Sequence, residues 1–433
     1  MTRRRFSLSG FSLGGFSLRD STPALLARGY AWLPDLRRQA GGDVVTRVLG
    51  SRATGLRGPE AVRFFYDERH VRRDGALPEP IKGTLVGKDS VHSLDGPDHR
   101  ARKGLFLTVL ADPDSIGRLV RHVGDAWDET VATWPGRSPV VLFDEAAEII
   151  ARGVCRWAGV PVAEAGVKAV AADMVAMVDG FATLGPRHWR ARRARGRRER
   201  WLTRLIEDAR AGSVSLPAGS PADLVERHRD AGGQPLPPRV AAVELLNFIR
   251  PTVAVAWFVA FAGHALHRWP ETRQALRGGD HAYAEAFAQE VRRFYPFAPF
   301  VGGRAVTDLT WRGTVIPEGS LVLLDLYGQN HDAKLWQDPY SFDPGRFAGA
   351  TVGRDDLVPQ GGGDPHTGHR CPGEAVAVAL LQDLSARLAA LEYTVPPQDL
   401  TISLRRVPAR PRSGVVLESV RVPAQARSTT TGA

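Results

Sequence analysis

Cysteine is nearly absent. Cys155 and Cys371 are the only two in 433 residues, which excludes a disulfide scaffold and points to a reducing, cytoplasmic setting. No uninterrupted run of about eighteen apolar residues occurs, so no membrane-spanning helix is expected. No zinc spacing, recognition helix or aromatic RNA-binding signature accompanies the net charge of +10, so nucleic acid is not an expected partner. Arg3, Arg4 and Arg5 are not followed by a clean apolar region or a cleavage site. The opening "MTRRRFSLSGFSLGGFSLRD", with its five-residue "FSL" repeat, therefore reads as a flexible tail rather than an export signal. Tails are expected over 1–21 and 421–433, flanking one unit over 22–420.

What is present is ordinary for a globular core: 43% hydrophobic and 24% charged residues. Apolar residues recur at helical spacing over 98–110, 115–134, 142–157, 162–181 and 187–211. The segment 238–270 is apolar on every side, which predicts a central buried helix interrupted at Pro251. Further helices are expected around "YAEAFAQEVRRFYP" and "EAVAVALLQDLSARLAALE", and short strands at "GDVVTRVLG", "TWRGTVI" and "GSLVLLDL". The fold class is mainly α with a minor β portion. "RHWRARRARGRRERW", residues 187–201, reads first as a solvated helix face, and more sharply as a surface that steers acids or meets a membrane.

The two cysteines differ. Cys155 lies in the apolar helical pattern "IIARGVCRWAGV" and reads as a small buried hydrophobe. Cys371 lies in "QGGGDPHTGHRCPGE", before a helix, with His369 and Arg370 beside it. N–H donors and a helix N-terminus stabilise a thiolate there. A nucleophile needs a base and an oxyanion hole, and zinc needs further ligands. A haem thiolate needs one cysteine, a glycine loop that the porphyrin approaches, and cations for two propionates. The segment fits haem best.

Glu290 and Arg293 stand at i, i+3 spacing in "EVRR", and Arg346 follows in "FDPGRF". This ordered set, with "NHDAKLWQDPYSFDPGRF" leading to the cysteine loop, resembles the cytochrome P-450 family. The resemblance covers about 22–420 and implies the cytochrome P-450 fold, with haem b between a long central helix and the loop of its axial ligand Cys371. It makes Glu290, Arg293 and Arg346 a structural ion-paired triad. Asp364 and Thr367 replace the family's usual loop Phe and Gly, and His369 its usual Arg. "GGGD" and "GHRCPGE" look like the fatty-acid peroxygenase branch.

The central helix reads "FIRPTVAV", with Arg250 and Pro251 where most family members carry an acid followed by Thr. Arginine keeps its proton and binds a carboxylate bidentately. The resemblance then implies a hydrogen-peroxide-dependent enzyme without an obligatory reductase. A fatty acid carboxylate on Arg250 shuttles the peroxide proton, giving α/β-hydroxylation or oxidative decarboxylation to terminal alkenes. Glu244, the acid nearest in sequence on this helix, faces another way. His92, in "TLVGKDSVHSLDG", matches a position above the haem, where a histidine can donate to bound peroxide and can protonate near neutral pH. His99, Lys103, Arg304 and His369 are implied propionate partners, and Leu85, Val86, Val178, Phe181 and Phe297 implied pocket walls. A monooxygenase fed by redox partners, and a non-catalytic haem or fatty-acid binder, are the alternatives.

Overall fold

A computed structural model describes residues 16–423 except Leu77 and Ala350. It is 52% helix and 11% strand. The FSL repeat lies mostly outside the described residues. Its last part, Phe16–Asp20, is a strand pairing in parallel with Val44–Val48, so the ordered chain begins before residue 22.

The periodic segments form the expected helices, most of them shifted by only a few residues. Gly96–Leu110, Pro113–Val131, Leu142–Ala158, Glu164–Asp179 and Pro186–Arg210 follow in order. The long apolar segment forms two helices, Pro238–Val253 and Val255–Arg268, meeting at Ala254. Pro251 explains the break: it lacks the N–H that would bond the carbonyl one turn earlier. Length and composition alone would let Pro238–Arg268 cross a membrane, but 94% of its apolar window is buried inside the fold. It is a core helix, and tertiary packing rather than lipid satisfies its apolar surface.

The main core gathers side chains from these two helices, from Leu142–Ala158, and from the last helix, Glu374–Ala390. A six-stranded sheet stands to one side. Its order is Phe16–Asp20, Val44–Val48, Ser51–Leu56, Leu321–Asp325, Phe300–Ala305, Val71–Arg72. Val44–Val48 and Ser51–Leu56 form the strand pair read from "GDVVTRVLG", and the single strand expected at "TWRGTVI" is a hairpin of Leu309–Trp311 with Thr314–Ile316. The chain passes from strand Phe300–Ala305 to Leu321–Asp325 through that small hairpin, then through 344–373 to the cysteine helix.

Gly153 lets two core helices meet. A Cβ there would lie 2.6 Å from the Val123 Cα. Gly153→Ala should therefore lose about 1–3 kcal/mol in denaturant unfolding by overpacking. Elsewhere in a helix interior the same change gains up to about 1 kcal/mol.

Candidate active site

The cysteine loop is held by two carboxylates, Glu290 fully buried and Glu374 partly so, each between arginines. Glu290 and Arg293 are fully buried, and Arg293 donates to both Glu290 carboxylate oxygens at 2.7 Å. Arg346 adds a contact at 3.2 Å. Arg293 also donates to the carbonyls of Asn330 at 2.9 Å and Pro339 at 2.8 Å, so the pair ties its helix to the segment before the loop. The second clamp was not read from the sequence. Arg292, also buried, donates to Glu374 and to the Gln360 side-chain oxygen at 3.0 Å. Arg370 donates to Glu374 at 2.6 Å. Burial opposes the charge on Glu374, yet Arg292 and Arg370 outweigh it and hold its carboxyl below the usual range. "EVRR" carries both clamps: its first arginine serves Glu374 and its second Glu290.

With its oxygen turned to Arg292, the Gln360 amide presents its N–H₂ to the Cys371 sulfur at 3.9 Å. The Cys371 thiol is pushed up by burial, which outweighs the Gly373 N–H and the charges of Arg292 and Lys103. The helix N–H and the cations act in the expected direction, and burial opposes them. A sulfur so placed loses its proton when it binds a metal ion directly. The glycines also pack closely against a neighbouring helix. A Cβ on Gly362 would lie 2.3 Å from Val62, and one on Gly363 2.7 Å from Tyr66. The glycine run makes room for helix Pro59–Tyr66.

Opposite the loop lies the broken central helix. Arg250 is 5% exposed, its Nε has no partner, and one N–H reaches Asn247 Oδ1 at 3.2 Å. No carboxylate among the described residues pairs with it. Burial, with Arg195 adding to it, brings its pKa down to about 9, so it stays charged at neutral pH. The Cys371 sulfur is close enough to act on it electrostatically. Thr252 donates to the Phe248 carbonyl at 2.8 Å, so its hydroxyl is spent on its own helix.

Glu244 is joined to this site indirectly. It accepts from Arg102 and from the Val91 N–H, each at 2.8 Å, and from Asn247 Nδ2 at 3.1 Å. Asn247 thus links Glu244 to Arg250, and the same carboxylate pins the residue before His92. His92 has exposed area yet is enclosed by protein, so its free surface opens inward. Pro251 is likewise exposed between buried Arg250 and Thr252. Burial, then the nearby Arg250 charge, brings His92 down to about 3. It is therefore neutral at physiological pH.

His99 and His369 stack at 3.9 Å between ring centres, and the His99 Nδ1 is buried without a partner. His369 is held by Asp95 at 3.2 Å. Lys103 donates to the carbonyls of Gly368 and Arg370, and burial brings it down to about 8. Arg304 pairs across the sheet with Arg72 and donates to the Gly75 and Gly319 carbonyls, and the neighbouring Arg73 acts electrostatically on both histidines. Arg73 was not predicted; nothing in its sequence setting marks it.

Among the expected walls, Val86 is buried and Leu85 partly so. Arg195, from the basic helix, donates to the carbonyls of both. That residue is 3% exposed, so the helix is not wholly a solvated face. Val178 is buried at the end of Glu164–Asp179, and Phe181 is half-buried just beyond it. Phe297 packs on Phe258 at 4.8 Å.

An inward-facing thiol, inward-facing His92 and Pro251, and unpartnered nitrogens on Arg250 and His99 suit a haem between loop and helix. They describe a haem-thiolate protein with a buried arginine that lacks an acidic partner among the described residues. The cytochrome P450 family model matches residues 280–388. Cytochrome P450 4A11 of Homo sapiens is 31% identical over 144 residues, 33% of this chain and 27% of that one. Putative cytochrome P450 135B1 of Mycobacterium tuberculosis is 25% identical over 381 residues, 82% and 79% of the two chains. The chain matches about a third of the length of the first curated relatives. Solved structures match almost end to end. Cytochrome P450SP alpha (CYP152B1) in complex with (R)-ibuprophen is 41% identical, at a TM-score of 0.90 over 93% of this chain and 99% of that one. Cytochrome P450EX alpha (CYP152N1) with myristic acid is 36% identical, TM-score 0.90, over 95% and 100%. A variant of cytochrome P450 OleT in complex with arachidonic acid is 34% identical, TM-score 0.90, over 93% and 96%. The chain belongs to the cytochrome P450 family, and these structures are of its fatty-acid peroxygenase branch.

Glu290→Gln removes one charge of a buried pair and strands Arg293. It should cost about 3–5 kcal/mol in denaturant unfolding. For His92 the sign follows from a folded pKa near 3 against the ordinary 6.5. The unfolded chain takes up the proton first, so this residue lowers stability as pH falls below 6.5 and has no effect above it. His92→Gln should show a shallower loss of stability on acidification, read by denaturant midpoints across that range.

Proposed function

We propose that this protein is a hydrogen-peroxide-dependent haem-thiolate peroxygenase acting on fatty acids, by α/β-hydroxylation, oxidative decarboxylation to terminal alkenes, or both. The carrying observation is Arg250: a buried guanidinium with an orphaned Nε, no carboxylate partner among the described residues, and Cys371 nearby. A buried unpaired charge is costly, and a substrate carboxylate relieves that cost. Residues 22–420 form the catalytic unit, working in the cytoplasm without an obligatory reductase.

Haem b, bound through the Cys371 sulfur, supplies the iron at which peroxide is cleaved and a C–H bond oxidised. Arg250 holds the fatty acid carboxylate and Asn247 orients Arg250. The bound carboxylate moves the peroxide proton from one oxygen to the other, which is general acid–base catalysis by the substrate. Thr252, turned back on its helix, has no part in proton delivery. Neutral His92 offers a donor to peroxide, with its backbone anchored through Glu244. Glu290, Arg293 and Arg346 position the loop. His99, Lys103, Arg304 and His369 line the propionate side together with Arg73. Leu85, Val86, Val178, Phe181 and Phe297 enclose the acyl chain.

Haem-loaded protein should convert saturated fatty acids to hydroxy acids or terminal alkenes with hydrogen peroxide alone, read by mass spectrometry. Arg250→Ala should form about 10²–10⁴-fold less product. Turnover only with NAD(P)H and electron-transfer proteins would favour a partner-fed monooxygenase. A spectral change on acid binding without turnover in either system would leave a binding protein.

A further inference from the structure

The basic helix Pro186–Arg210 sends one arginine, Arg195, inward, and the catalytic reading leaves its outer face unused. Trp189, Arg193, Arg197, Arg200 and Arg204 are all exposed and follow one another at three- and four-residue steps, so they share that face. The stripe runs for about 22 Å at the helical rise per residue. Arg190, Arg193, Arg200 and Arg204 have no acidic partner among the described residues. Of the nearby acids, Asp173 is committed to Arg197 and Arg198, Asp179 to Arg187 and Arg406, and Glu199 to Arg195, while Glu207 and Asp208 stand exposed at the C-terminal end of the helix, unpaired among the described residues. The positive charge is therefore uncompensated over the N-terminal part of the stripe, at Arg190, Arg193 and Arg200.

At the N-terminal end of this stripe, two large apolar side chains stand in water. Leu184 is 78% exposed and Trp189 56%. Between them begins a shallow depression of about 410 Å³, lined by Gly185, Pro186, Trp189 and the arginines 190, 193 and 197. Apolar and aromatic tips next to a row of arginines match the two layers of a bilayer interface. Phosphates of a nucleic acid would explain the arginines but give Leu184 no reason to be exposed.

We propose that the corner 184–190 and the outer face of Pro186–Arg210 dock on an anionic phospholipid bilayer. Leu184 and Trp189 enter the headgroup boundary, and the arginines meet lipid phosphates. The inner side of the same corner carries Val178 and Phe181, expected walls of the acyl pocket. Docking therefore sets the pocket wall against the phase in which long-chain acids concentrate. Only this last link rests on the proposed fatty-acid activity; the docking itself does not.

The test is co-sedimentation of the full-length, haem-loaded protein with vesicles of phosphatidylcholine alone or mixed with phosphatidylglycerol. Binding is expected only to the mixed vesicles and should weaken in high salt. Arg193→Glu with Arg200→Glu should weaken it by about thirtyfold or more, since each arginine near an anionic surface adds to the attraction. Leu184→Ser with Trp189→Ser should weaken it several-fold, without changing retention of a short DNA duplex on the protein. Both double variants should keep parental turnover of a water-soluble medium-chain acid, which separates this proposal from the catalytic one. No binding to mixed vesicles overturns the proposal. So does vesicle binding that the Leu184/Trp189 variant leaves unchanged, because the patch is then a polyanion site with no membrane character.

Discussion

Glu290 carries its charge with no exposed surface, and two arginines make that tolerable. Everything on the proximal side of the site depends on this arrangement. Arg293 spends its remaining donors on carbonyls before the cysteine loop, so one ion pair fixes a helix and a long irregular segment together. Glu374 repeats the device at the start of the cysteine helix, with Arg292 and Arg370. A buried ion pair adds little net stability over an apolar replacement. Its value here is geometric: carbonyls, a glutamine amide and a sulfur are placed by fork-shaped donors whose geometry is rigid.

The distal side is built on the opposite principle. Arg250 is a buried cation left without its acid, and Asn247 supports it without neutralising it. The chain Arg102–Glu244–Asn247–Arg250 ends in that unmet charge. His92 shares the enclosure and stays neutral there because burial and Arg250 both oppose a second positive charge. One side of the site thus has its charges paired, and the other holds a buried cation with no acidic partner among the described residues. That asymmetry fits a reaction in which the substrate brings the missing carboxylate.

The glycines and the basic helix show how one residue type serves unlike ends. Gly362 and Gly363 are small because Val62 and Tyr66 press on them. Arg195 props the backbone of Leu85 and Val86 from a helix whose other arginines mostly face water. Neither role is visible in the composition of the segment, because each depends on an element distant in sequence.

The sequence by itself determined the helices, the short strands, the interrupted central helix and the cysteine loop, since periodicity, proline and motif order are local properties. It also determined which residues were candidates: Cys371, Arg250, Pro251, His92 and the Glu290 triad all stand in recognisable local patterns. Only the tertiary structure decided the partners. It turned Arg304 to the Gly75 and Gly319 carbonyls and brought Arg73 near the histidines. It gave Glu374 and Gln360 to Arg292, and joined Glu244 to Arg250 through Asn247. It also decided protonation, raising the Cys371 thiol and keeping His92 neutral. The physical reason is common to all of these. Hydrogen-bond pairing and desolvation depend on what surrounds a group in space, and most of those neighbours come from elements far apart along the chain.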